Sequence, residues 1–151
     1  MDLLTNPDLF KDVLNSIPQR VWIMDDDSSI VWENAAGINH MNRCGCPAAT
    51  DPTILTTYWR NELSSTGFLD TVLGAVTRGL QGESGVVDAK RRTSSGQDRW
   101  MRVEFHPLHN GQGDITGVYG IETDITLQKE ALPRLLALQE KPNVYCDNSC
   151  R

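Results

Sequence analysis

Three strand-length runs in the second half of the chain, 85–93, 99–109 and 115–124, constrain the fold most, because only the short linkers TSSGQD and NGQGD separate them. Both linkers carry glycine among small polar residues, the chemistry of tight hairpin turns that need a positive φ. Strands joined this closely run antiparallel in one sheet. In the middle run, WMRVEFH, the apolar Met101, Val103 and Phe105 alternate with Arg102, Glu104 and His106, so one face points to a core.

The first half supplies two more strands and several helices. RVWIM (Arg20 to Met24) and SIVWE (Ser29 to Glu33) flank the polar turn Asp25-Asp26-Asp27-Ser28 and read as a hairpin. RVWIM is apolar on both faces, Trp22 and Met24 against Val21 and Ile23, and GVYGIET repeats this with Val118 against Tyr119 and Ile121. A sheet with two apolar faces has to be covered twice. Asn6-Pro7-Asp8 marks a helix start, followed by the stripe Leu9, Phe10, Val13, Leu14 and Ile17 and ended by Pro18. Further helices are expected over 35–42, 53–63 and 67–81, the last with Phe68, Leu69, Val72, Leu73, Val76 and Leu80 near helical spacing. The order is that of an α+β domain, and 151 residues suffice for one core but not for a second full domain.

Several function classes are disfavoured. The chain has no run of about 18 apolar residues, and MDLLTNPDLFKD lacks the cationic start of a signal peptide, so a cytoplasmic protein without membrane contact is expected. A net charge of -6, with Lys90-Arg91-Arg92 as the longest basic run, argues against nucleic acid as the main partner. No G-x-S-x-G, H-E-x-x-H, P-loop or G-x-G-x-x-G occurs, and the carboxylates at 25–27 sit in a polar turn without an organising base, so no catalysis is expected. Four cysteines form two close pairs, Cys44/Cys46 and Cys146/Cys150. Brought together they would make a tetrahedral zinc site or a thiol redox switch, although C-x-C and C-x-x-x-C are not the usual knuckle spacings.

LNSIPQRVWIMDDDSSIVWENAAG and RRTSSGQDRWMRVEFHPLHNGQGDITGVYGIETDIT together resemble a PAS domain with its C-terminal PAC half. Ile30, Asn34 and Ala36, the S-G turn before Trp100, and Asp124-Ile125-Thr126 carry the resemblance, while 38–66 departs from the family pattern. It implies a five-stranded antiparallel sheet in the order 2-1-5-4-3 with helices on one face, framed as a flanking helix over 1–19, the sensory domain over 20–126 and a linker helix and tail over 127–151. It also implies a sensory or dimerisation module that works with a histidine kinase, nucleotide cyclase or transcription regulator. The relay would leave through Asp124 and Thr126, either of which could cap the next helix.

Carried over residue by residue, the resemblance places Trp22, Met24, Asn34, Arg91, Met101, Val103, Phe105, Gly120 and Glu122 around a ligand cavity. Arg91 and Glu122 would pair with each other, face a polar ligand or sit at an open rim. The simpler alternative leaves both solvated at strand ends and fills the cavity with Trp22, Met24 and Phe105, with no ligand; this is the preferred expectation. Any ligand is expected to be small and non-covalent. Asn42-Arg43-Cys44 lacks the context of a photoactive flavin cysteine, and the helix over 67–81 lacks the histidine that would bind haem. The N-terminal stripe and the outer residues Val21, Ile23, Tyr119 and Ile121 suggest a homodimer, or a monomer whose first helix folds back over its own sheet. Pro133 is expected to break or restart the C-terminal helix.

Overall fold

The structure is a computed structural model that describes residues 6–93 and 95–140. Along the chain lie α1 (Pro7–Ser16), β1 (Arg20–Asp25), β2 (Ile30–Glu33), α2 (Ala35–Arg43), α3 (Pro52–Thr66), α4 (Leu69–Leu80), β3 (Gly85–Arg92), β4 (Asp98–His109), β5 (Ile115–Asp124) and α5 (Thr126–Glu140). The strands form one antiparallel sheet in the order β2-β1-β5-β4-β3, as expected.

Register explains how side chains from distant strands meet. Gly85 on β3, Phe105 on β4, Gly120 on β5 and Trp22 on β1 lie in one row across the sheet; Val87, Val103, Glu122 and Arg20 form the next. Alternation turns these rows to the same face, which α2, α3 and α4 cover. Trp22, Met24, Trp59, Phe68, Val103 and Phe105 are fully buried there. At Gly120 an added Cβ would stand 2.1 Å from Trp22 Cζ2, so only glycine lets the indole lie against the strand. Gly79 serves the helix side in the same way, since a Cβ there would be 2.6 Å from Val118 Cγ2.

Helix ends follow local chemistry. Asn6 caps α1 by accepting from Asp8 N, and Asp51 caps α3 by accepting from Thr53 N and Ile54 N at 3.0 and 3.2 Å. Gly67, with φ 72°, ends α3, which runs three residues further than the apolar spacing indicates. Two expectations change. α1 makes its main helix contact with α2 and does not fold back across the sheet, leaving Phe10 and Val13 each 52% exposed. α5 passes through Pro133 as one helix. It is exposed from Leu127 to Glu140, so water can reach the carbonyl that the missing proline N–H leaves free. Cys146, Cys150 and the irregular tail expected beyond α5 lie outside the described residues.

Candidate functional site

The interior has an apolar centre and a charged end. At the charged end Arg20, which shares its strand face with Trp22 and Met24, is 7% exposed. Its Nε donates to Glu33 Oε1 at 2.7 Å, its Nη2 contacts the same oxygen, and its Nη1 lies 3.7 Å from Glu122 Oε2. Glu122 Oε1 also accepts from Trp22 Nε1 at 3.0 Å, which ties the ion cluster to the aromatic centre. Burial works against the Arg20 charge, but Glu122 and then Glu33 more than offset it and hold the guanidinium above its ordinary value. Burial pushes the Glu33 carboxyl up against the opposing pull of Arg20.

Arg91 forms a second charged knot. It is 8% exposed, and its Nη2 meets Glu62 Oε1 from α3 and stands 3.3 Å from His40 Nε2 on α2. A guanidinium can only donate, so His40 accepts through Nε2 and carries its proton on Nδ1. Burial first, then the Arg20, Arg91 and Arg43 charges, bring the His40 pKa down to about 4. Cys44, at the end of α2, has its Sγ 3.6 Å from the same Nε2, and its carbonyl accepts from the Tyr58 hydroxyl.

These groups line a partly open cavity of about 1050 Å³ between α2, α3 and the ends of β3 and β4, with Arg43, Arg92, Arg99, Asn61, Met101 and Asp124 completing much of its wall. A smaller adjoining cavity of about 290 Å³ is lined by Arg20, His40, Arg91, Met101, Glu122 and Asp124 among others. Asp124 is shared by both cavities. Its Oδ1 accepts from Thr126 N at 2.9 Å and so caps α5, while Arg99 Nη1 lies 3.6 Å from its Oδ2. Thr126 Oγ1 accepts instead from Trp100 N at 2.9 Å, fastening the start of α5 to β4.

Of the nine residues expected at a ligand, Arg91, Met101 and Glu122 line cavity space. Trp22, Met24, Val103 and Phe105 are fully buried packing, and Gly120 makes room for Trp22. Trp22, Met24 and Phe105 thus fill the centre as packing, whereas Arg91 and Glu122 are not solvated at strand ends: Glu122 is 4% exposed, and the two charged residues pair with Glu62 and Arg20 rather than with water. Asn34 is occupied by backbone: it accepts from Val21 N and Gly37 N and donates to the carbonyls of Leu14, Ile17 and Gln19. The Cys44/Cys46 pair is split, with Cys44 at the cavity and Cys46 in the core.

Sequence reasoning missed Arg20, Glu33, His40 and Glu62. Strand parity was a usable signal for Arg20, two residues before Trp22, and hairpin register was one for Glu33, which sits opposite Trp22. His40 lies on the helix expected over 35–42, but a lone histidine on a helix carries no local signal of what it will face.

A family model described as PAS fold matches residues 14–130. No curated protein sequence matches the chain. Among solved structures, an RNA-binding light-oxygen-voltage receptor is 19% identical with a TM-score of 0.63; the alignment covers 92% of this chain and 39% of that one. A phage VqmA-DPO complex is 16% identical with a TM-score of 0.55, over 87% of this chain and 58% of that one. A sensory box histidine kinase/response regulator from Burkholderia thailandensis is 19% identical with a TM-score of 0.52, over 87% of this chain and 95% of that one. The chain therefore spans less than two thirds of the first two proteins, and the likenesses establish a shared fold. No helix among the described residues is long and apolar enough to cross a membrane.

Proposed function

Because the chain belongs to the PAS-fold family, we propose that it is a non-catalytic sensory module in which a small polar ligand enters the arginine-lined cavity and alters the start of α5. One residue carries the reading: Asp124 lines both cavities and caps the output helix. A ligand that draws Arg99 or Arg91 toward itself changes the charge around the Asp124 carboxylate, and the cap strength follows. The four arginines at the wall, Arg43, Arg91, Arg92 and Arg99, against Glu62 and Asp124, favour a ligand with acidic groups. The effector would be a partner such as a histidine kinase, cyclase or transcription regulator, reached through α5.

An absorption spectrum and native mass spectrum of the protein as purified identify a retained ligand and test for flavin or haem directly. The decisive measurement is amide exchange of α5 in ligand-loaded and ligand-stripped protein. Different exchange over 126–132 is expected, and identical exchange overturns the relay. The exposed Phe10 and Val13 stripe on α1 is the surface proposed for a homodimer. Sedimentation should show a dimer that Phe10→Asp/Val13→Asp dissociates, and a monomer at high micromolar concentration removes it.

A further inference from the structure

The wall of the larger cavity holds a side-chain cluster whose His40 and Cys44 the sensory reading leaves unused. His40 and Cys44 stand one helical turn apart at the end of α2, with Nε2 and Sγ 3.6 Å from each other, and Glu62 reaches the same point from α3. The three possible ligand atoms all lie within 4.8 Å of one another. We propose that His40, Cys44 and Glu62 form a binding site for a zinc-type divalent cation, with the fourth coordination position open to the cavity.

An imidazole, a thiol and a carboxylate are a zinc donor set, and three protein ligands with one open position is a common zinc arrangement. Zinc bonds of about 2.0–2.3 Å place tetrahedral ligands about 3.3–3.8 Å apart. His40 and Cys44 already have that separation, and a rotamer adjustment brings Glu62 in. Glu62 Oε2 is buried without a hydrogen-bond partner, so the carboxylate has a free lone pair to offer. The place is also already held by a cation. Arg91 Nη2 touches Glu62 Oε1 and faces His40 Nε2, while Arg91 Nε is buried and unpartnered, so the guanidinium fits this seat imperfectly.

Metal entry has to move Arg91. The adjoining smaller cavity offers a destination, since Arg91 lines it together with Glu122 and Asp124. Zinc would exchange the Arg91 contacts for bonds to the imidazole, the carboxylate and the thiolate, and the thiol proton would leave to solvent. A positive charge would shift from the α2/α3 wall toward β5, beside the residue that caps α5. This inference does not rest on the organic-ligand reading, because the metal occupies the wall and the void can fill independently.

The test is titration of the full chain with cobalt(II), and with zinc as competitor, under a non-chelating reductant. A thiolate-to-cobalt charge-transfer band in the near ultraviolet and visible tetrahedral bands are expected, saturating at one equivalent and erased by one equivalent of zinc. Cys44→Ser should abolish the charge-transfer band, and His40→Gln and Glu62→Gln should weaken binding by about 10- to 100-fold. Far-UV circular dichroism checks that each variant is folded; His40→Gln and Glu62→Gln keep the test alive if Cys44→Ser is not. Arg91→Gln removes the competing cation and should tighten binding about 10-fold. Absence of the band overturns the proposal, as does a band that survives Cys44→Ser. A band lost in Cys146→Ser/Cys150→Ser transfers the metal to a site using the C-terminal thiols and overturns it equally.

Discussion

The two ends of one interior are held together by different physics. In the centre, Trp22, Met24, Trp59, Phe68 and Phe105 are fully buried, and their stability comes from apolar area and close packing. At the charged end, Arg20, Glu33, Glu122 and Arg91 are buried almost as deeply, yet Arg20 Nη1, Glu33 Oε2, Glu62 Oε2 and Arg91 Nε have no hydrogen-bond partner, against Trp59 Nε1 alone in the centre. A packed apolar centre has one good arrangement. A charged cluster with orphaned atoms has close alternatives, which suits the end of the fold that borders the cavity and the start of α5.

The largest test of this contrast concerns Arg20. Arg20→Met alone leaves Glu33 and Glu122 buried without their cation and should cost about 3–5 kcal/mol in urea unfolding. Arg20→Met/Glu33→Leu/Glu122→Leu replaces the cluster by apolar volume and should recover most or all of that loss, because desolvating three charges offsets much of their attraction. A triple variant no more stable than the single one would mean that the cluster holds the fold in its own right. Next comes Gly120→Ala, where the new Cβ meets Trp22 at 2.1 Å and must displace the indole from Glu122. A loss of about 1–3 kcal/mol is expected from such overpacking, with a change in tryptophan fluorescence reporting the movement.

What the sequence reveals follows the same division. Two-residue alternation marks Met101, Val103 and Phe105 as inward, and glycine-bearing linkers mark the hairpins, because both signals are local. The charged end depends on which helix residues come to face which strand residues. Glu62 on α3 meets Arg91 on β3 across 29 residues of sequence, and His40 on α2 meets Arg91 across 51, so both contacts depend on how the helices pack against the sheet. No spacing in the sequence encodes those meetings. Arg20 is legible by parity with Trp22, although a charged residue at the start of a strand is more often solvated. Pro133 shows the converse: the local rule is sound, yet exposure of α5 removes much of its force.

A pH experiment separates the two ends further. His40 holds a folded pKa of about 4 against an ordinary value of 6.5, so the unfolded chain binds its proton first as pH falls. Its contribution is intact above pH 6.5 and is lost as the pH drops from there toward 4. His40 faces a cavity, and after allowance for solvent screening the loss at pH 5 should be about 1 kcal/mol. The measurement is the stability difference between pH 7.5 and pH 5 for wild type and His40→Gln, both with chelator. A smaller difference in His40→Gln is expected, whereas equal differences would assign the acid sensitivity to groups other than His40; Glu33 is not among them, because a carboxyl held above its ordinary value is stabilised by acid.

The smallest effect tests whether the charged end speaks to α5 at all. Asp124→Ala removes the oxygen that accepts from Thr126 N and the partner of Arg99, and loss of such a cap costs about 0.5–2 kcal/mol of local helix stability. Thr126 remains tied to Trp100 N, and Lys129 still lies over the Trp100 ring at 5.0 Å, so the first turn keeps two anchors on β4. The global unfolding midpoint should therefore barely move while amide exchange rises over the first turn of α5. Asp124→Asn keeps an accepting oxygen and should preserve most of the cap, but it removes the charge that Arg99 and a cavity ligand would contest. If the relay runs through that charge, Asp124→Asn leaves α5 ordered and no longer responsive to ligand. If Asp124→Asn protein still shows ligand-dependent exchange in α5, the charged end and α5 communicate by another route.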